Sequence, residues 1–477
     1  MRNRLRFLSI ILLGVLTVSA GGTAPAPVPV TFGPNIDLSV AKRSNATIQR
    51  ETTIAVNPLD PNNIVEGNID RAPNPETNTF SFTADGGQTW TLGGSVPLEN
   101  STDGAVDPAL AADADGNFYY SYLEDLTSTT GAVTRTDLVV AKSTDGGKTF
   151  PTLSVVHQGV STPTLVSSPD KDYIAVDTWS GSPFKGTIYL GWTEFTCGAT
   201  SCDVQIQVAV SRDKGQTWSK PMGVSNLAPG LTEGLFGALP VTAPDGTVYV
   251  FYADLLLNTG PTSIRFSKST DGGMTWSVPA SVASSLPSPG FFRLKNDDPK
   301  WDTNLSAGIF SNSLPTAAIA PDGGIFVAWV DFPNGSCTND GSGNPPCTNA
   351  DVRLSVSRNA GKSWTRPVKI GDETNATDQF FPWIATHPNG LLSLAWNDKR
   401  LDPNNINYDE FYTNTFDGAT FLPNVRVTTT TALSGNGETP IGDYNGLAVS
   451  ADAIFPVWSQ MTSTTPDVFT AVGHFVK

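Results

Sequence analysis

Residues 143–150 read STDGGKTF, and the same phrase returns along the chain. It stands as TADGGQTW at 83–90, SRDKGQTW at 211–218, STDGGMTW at 269–276 and SRNAGKSW at 357–364. A worn copy, TFDGATF, occupies 415–421. Each copy reads as a turn. Asp at the third position can accept hydrogen bonds from the turn's own amides, and Gly at the fifth permits a left-handed backbone. The Ser or Thr at the start can tie the strand end to the turn. The closing Trp or Phe offers a large ring for burial.

The text before each copy repeats as well. ETTIAVNPLDPNNIVEGN (51–68), DPALAADADGNFYYSYLE (107–124) and KDYIAVDTWSGSPFKGTIYLGWTE (171–194) are followed by LPVTAPDGTVYVFYAD (239–254) and PTAAIAPDGGIFVAWVD (315–331). FPWIATHPNGLLSLAWNDKR (381–400) and DYNGLAVSADAIFPVWSQ (443–460) complete the series. Each is an apolar strand, a polar turn such as Asp-Gly or Asn-Gly, and a second strand rich in Val, Phe, Tyr and Trp, the pattern of a hairpin. A third strand, such as DLVVAKS (137–143) or DVRLSVS (351–357), runs into the phrase, and a fourth follows it. Four-stranded units repeated in this way build a β-propeller. Unit starts near 51, 107, 171, 239, 315, 381 and 443 argue for seven blades; six is the alternative if a terminal unit is incomplete. The last unit has DVFTAVGHF (467–475) as its third strand and then ends. Its fourth strand is expected from the N-terminal segment around 36–48, closing the ring.

Composition agrees with an all-β chain. In 477 residues there are 44 Gly and 36 Pro, and no stretch has a helical Leu/Ala/Glu/Lys bias. MRNRLR followed by FLSIILLGVLTVSA reads as a secretory signal peptide ending near Ala20. Residues 21–35, GGTAPAPVPVTFGPN, read as a disordered lead-in, and 36–477 as a single propeller domain. The expected location is extracellular or periplasmic, with no membrane insertion after cleavage. The net charge of −16 becomes −19 without Arg2, Arg4 and Arg6. Such a surface repels nucleic acid and anionic membranes. The four cysteines form two local pairs, Cys197 with Cys202 and Cys337 with Cys347, expected as disulfides in an exported chain. Both pairs fall between second and third strands.

The repeated phrase resembles the Asp-box, or bacterial neuraminidase repeat, of the sialidase superfamily of propellers. That resemblance implies that Asp85, Asp145, Asp213 and Asp271 are scaffold, on the rim away from the site. It also implies a site in which three Arg hold a carboxylate, a Tyr paired with a Glu is the nucleophile, and an Asp is the acid/base. Matched to this sequence, Arg50 opens the first blade, although Glu51-Thr52 replaces the family's Ile-Pro. Arg71 is followed by Glu76, where the family has Asp. Tyr444-Asn445-Gly446-Leu447 resembles the family's nucleophile context, and Arg400 lies at a family-like distance from its turn. The Glu partner of the tyrosine has no counterpart in the motifs.

A second pattern competes with that chemistry. Acids recur at blade openings as Glu51, Asp107, Asp172, Asp378 and Asp443. Converging at one channel mouth, they would repel a sialic acid carboxylate. They would suit a hard cation such as calcium, although no cofactor is required, or act as acid/base groups for a neutral glycan. Three readings follow. The first is extracellular recognition of a glycan or protein ligand by a monomer. The second is an exo-sialidase-type glycoside hydrolase using Tyr444, Glu76, Arg50, Arg71 and Arg400. The third is a surface scaffold with no organised pocket.

Overall fold

The computed structural model describes residues 25–39, 48–71, 75–128, 132–231, 234–255, 262–288, 291–294, 310–337, 346–433, 441–461 and 465–476. The expected signal peptide lies outside these residues. The described chain is a seven-bladed β-propeller of antiparallel blades built on four strands, with a short added strand, Val160–Ser161, on blade three and interrupted outer strands in blade seven. Blades one to four begin at Gln49–Asn57, Gly104–Ala112, Val166–Val176 and Gly234–Thr242. Blades five to seven begin at Thr316–Ile319, Gln379–Thr386 and Gly446–Val449. A small extra sheet of Phe291–Leu294, Phe310–Asn312, Ser336–Cys337 and Pro346–Thr348 sits beside blade five.

The N-terminus closes the ring, with boundaries that differ from the expected ones. Ile36–Asp37 pairs with Pro466–Thr470 as the outer strand of blade seven. Val30–Phe32 continues it against Gly473–Phe475, so this part of the supposed disordered lead-in is a strand. Pairing supplies the backbone partners that the isolated Pro- and Gly-rich stretch cannot provide for itself.

The second strands form the core between blades. Equivalent positions in the seven second strands hold Asn68, Tyr122, Trp192, Tyr252, Trp329, Trp396 and Trp458, all buried. Three of the indoles reach an acceptor two residues on, so the ring is buried without stranding its N–H. Trp192 donates to Glu194 (2.8 Å), Trp396 to Asp398 (2.8 Å) and Trp458 to Gln460 (2.9 Å).

The repeated phrase is a self-contained turn. In the copy at 143–150, Ser143 Oγ donates to Asp145 Oδ1 (2.8 Å), which also accepts the Lys148 and Thr149 amides (3.1 Å each). Thr149 Oγ1 donates to the other carboxylate oxygen at 2.7 Å. Asp85, Asp213 and Asp271 bond in the same manner. The fifth-position Gly has two reasons. Gly147 has φ +78°, and a Cβ there would fall 2.0 Å from Val65 of the preceding blade. The closing ring fills the same seam: Phe150 meets Phe80 at 4.8 Å, and Trp364 packs on Phe251 and Phe266 of blade four.

Both expected disulfides are present, Cys197–Cys202 and Cys337–Cys347. Among the described residues no helix is long and apolar enough to cross a membrane.

Candidate functional site

The first strands run from one mouth of the central channel to the other. Near its start, each of five first strands carries a bulge in its pairing with the second strand. The bulged residue is left-handed: Glu51 (φ 57°), Asp107 (φ 54°), Lys171 (φ 38°), Gly237 (φ 77°) and Phe381 (φ 50°). For an L-residue that conformation is costly, and surrounding structure must hold it. The bulge re-aims side chains that a regular strand would send to alternate faces. Tyr444 takes the corresponding place in blade seven.

These positions meet at the upper mouth, where the first strands begin. The Glu51 and Asp107 carboxyl groups face each other closely enough to act on one another, and Asp107 Oδ2 accepts the Lys171 amide at 3.3 Å. The Lys171 ammonium lies between two aromatic faces, 3.9 Å from the Tyr444 ring centre and 4.2 Å from that of Tyr173. Gly442 (φ 89°) lets the chain entering blade seven lie against this cluster, since a Cβ there would fall 2.6 Å from Glu51 Cγ. Asn312 Nδ2 holds the Asp443 carbonyl at 3.0 Å. Below the two tyrosines the channel keeps a cavity of only about 90 Å³, lined by residues such as Leu110, Ile174 and Leu239.

The electrostatics follow from crowding carboxyl groups in a partly dehydrated space. Burial, and then the Asp107 charge, push the Glu51 carboxyl well above its usual range. Asp170 is raised to about 7 by burial and then Asp107, against the opposing pull of its backbone bond and Lys171. Asp443 keeps open surface at the mouth, yet the protein mass around it and then Asp107 raise it to about 6. Asp172 is wholly buried and raised to about 7, chiefly by that burial. Burial and then Glu51 and Asp107 push the Tyr444 phenol well above 10, so it is held neutral.

Not every expected residue joins this cluster. Arg50 does: its guanidinium lies 3.8 Å from Glu51 and donates to Glu76 at 3.1 Å. Arg71 binds the other Glu76 oxygen at 2.6 Å, so Glu76 is an ion-paired rim carboxylate between two Arg. Arg400 does not join. It pairs with Asp398 (2.7 Å), Glu373 (3.1 Å) and Asp372, and lies over the Phe411 ring at 4.2 Å, all around blade six. Asp378 is also elsewhere. Its carboxylate accepts the Ala350 amide (3.0 Å) and Asn405 Nδ2 (2.6 Å), tying blade five to blade six. Only the fold distinguishes it from Glu51 or Asp107, since all three precede an apolar strand.

Sequence reasoning missed Asp170, Lys171 and Tyr173. Asp-Lys-Asp-Tyr at 170–173 stands at the opening of blade three, and alignment of the seven openings would have flagged it. Among the described residues, no group of three or more His, Cys, Asp or Glu is arranged to hold a metal ion. The mouth acids bond to one another, to Lys171 and to Arg50 instead.

No protein-family model matches the sequence, and no curated protein matches it. Solved structures do resemble it. A Dyadobacter fermentans protein of unknown function has 12% identity and a TM-score of 0.49, covering 94% of this chain and 99% of that one. An α-L-arabinofuranosidase of Fusarium graminearum has 14% identity and a TM-score of 0.46, covering 77% of this chain and 92% of that one. A Hadza microbial sialidase has 14% identity and a TM-score of 0.45, covering 83% of this chain and 73% of that one.

Proposed function

We propose that this chain is an extracellular propeller that recognises a neutral, hydroxyl-rich glycan at the upper mouth. One observation carries the reading: Glu51, Asp107, Asp170 and Asp443 converge there around the Lys171–Tyr444 contact. Carboxylates are strong acceptors for sugar hydroxyls. The same groups disfavour an anionic sugar, because Arg50 and Lys171 are outnumbered locally. The two disulfides suit an oxidising compartment.

The exo-sialidase reading has less support. It needs three Arg around Tyr444, and Arg400 is bound in blade six. It also needs an activated phenol, and Tyr444 is held neutral. The repeated phrase nevertheless supports a sialidase-like ancestry for the scaffold. A scaffold without a pocket would leave the left-handed bulges and the acid cluster without a purpose.

Acid–base cleavage of a neutral glycan is favoured by one further observation. Asp170 and Asp443 are both raised, to about 7 and about 6, by burial and by the Asp107 charge, so the mouth can hold and release a proton near neutral pH.

The test is titration of the chain without residues 1–20 against neutral and sialylated oligosaccharides by calorimetry, with Asp443→Asn alongside. Binding of a neutral glycan, weakened at least about tenfold in the variant, is the expected result. Selective binding of sialylated glycans, or affinity untouched by the substitution, would overturn the reading. Reducing-end release from the bound glycan would extend it to catalysis.

A further inference from the structure

The lower mouth, at the far ends of the first strands, holds a second cavity of about 570 Å³. Six blades contribute to it, through residues such as Val56, Ala175, Val241, Ile319, Thr386 and Val449. Its size is that of a pocket for one small ligand. Among the described residues no Asp, Glu, Lys or Arg lines it, although the whole chain carries a net charge of −16. The one ionisable group among the described lining residues, His387, is committed elsewhere. Its Nδ1 lies 2.6 Å from the Ser450 carbonyl and its Nε2 2.8 Å from Ser393 Oγ. Burial lowers its pKa to about 4, so the ring is neutral.

The wall also contains a fixed aromatic platform. Trp179 is half-buried, and its indole N–H donates to the Thr242 carbonyl at 2.8 Å, bridging blade three to blade four. Its loop is built to stay in place. Asp177 accepts the Trp179 amide (3.1 Å) and Ser182 Oγ (2.5 Å). Phe184 of the same loop packs where Gly272 and Gly246 have no side chain.

We infer that the lower mouth is a second binding site, on the face opposite the acid cluster, for an uncharged ligand of one or two rings seated against Trp179. The selectivity is electrostatic. A charged group would lose its hydration in a pocket that offers no counter-charge. An uncharged ring gains apolar burial against the strand ends and stacking on the indole. The site is independent of glycan recognition at the upper mouth.

The probe is 6-propionyl-2-(dimethylamino)naphthalene, an uncharged two-ring dye, titrated by fluorescence into the chain without residues 1–20. A saturable one-to-one isotherm is expected. Ala451→Trp places bulk at an exposed lining position without touching the core, and should weaken the dye at least tenfold. Trp179→Ala should do the same while circular dichroism reports an intact fold. An anionic naphthalene dye of similar size should bind at least tenfold more weakly than the uncharged one. Absence of saturable binding, affinity unchanged in Ala451→Trp, or equal affinity for the anionic dye would each overturn the inference.

Discussion

The Lys171 ammonium sits 3.9 Å from the centre of the Tyr444 ring, joining the first strand of blade three to the opening of blade seven across the channel. This contact places a cation among carboxyl groups at the mouth. It therefore bears on charge state, on packing and on the nucleophile reading.

Lys171 opposes the raised pKa values of Asp170 and Asp443. Lys171→Met keeps the chain length and removes the charge. Both carboxyls should then titrate at higher pH than in the parent. Carbon-detected NMR titration of the Asp side chains reads this directly, and unchanged midpoints would show that the ammonium is electrostatically silent.

Tyr444→Phe keeps the ring and removes a hydroxyl whose contact, with the Pro108 carbonyl, is 3.4 Å long. Stability should change by less than about 1 kcal/mol, and glycan binding should persist. Tyr444→Ala removes a buried ring and should cost about 3–5 kcal/mol. Urea unfolding separates the two. Turnover of an α-sialoside by the parent that vanished in Tyr444→Phe would instead make this residue the nucleophile.

Stability should peak near about pH 4–5. Asp443 at about 6, and Asp170 and Asp172 at about 7, lie above the ordinary 3.8, so the folded state binds more protons than the unfolded state between these values. Stability therefore falls as pH rises from about 4 to 7. Asp85 is lowered to about 2 by its turn bonds, led by Thr89, and Asp213 and Asp271 are lowered likewise. Their contribution is present above the ordinary value and is lost as pH falls towards 2. Thermal midpoints across pH 2–8 check this; a midpoint that climbed from pH 5 to 8 would contradict it.

Asp145→Ala removes the acceptor for two amides and two hydroxyls in one repeated turn. The expected cost is about 1–3 kcal/mol. Affinity at the upper mouth should stay the same, because these turns project from the other end of the blades. Paired unfolding and calorimetry on the variant test both halves.

Replacing Cys197 and Cys202 by Ser opens a loop with a sequence separation of 5. Chain entropy gives about 2 kcal/mol for so short a loop. The bridge spans a hairpin end that the ladder already pairs, at Cys197 opposite Cys202. A loss of that size in chemical unfolding, with the fold retained, is expected.

How much was legible follows from the range of the physics. The repeated phrase is a local device, whose bonds each span at most four positions between Ser143 and Thr149 and whose Gly need is visible in one string. The alternation of apolar strands and polar turns is equally local, and the seven openings could be counted. Disulfide partners were close enough in sequence to be paired by eye. The lead-in was misjudged over Val30–Phe32, because its partner, Gly473–Phe475, is more than 400 residues away.

The sequence by itself determined a propeller of repeated four-stranded units and pointed to seven of them and to closure by an N-terminal strand, since each follows from neighbouring residues or from a counted repeat. Only the tertiary structure decided which acids share a site. Glu51 and Asp107 sit on bulges that turn them to one mouth, where Asp443 meets them at the opening of blade seven, while Asp378 meets Asn405 and Arg400 meets Glu373. Lys171 became meaningful only when blade three was set opposite blade seven. Side-chain convergence across a ring depends on three-dimensional closure, and residues 273 positions apart, as Lys171 and Tyr444 are, carry no local mark of it.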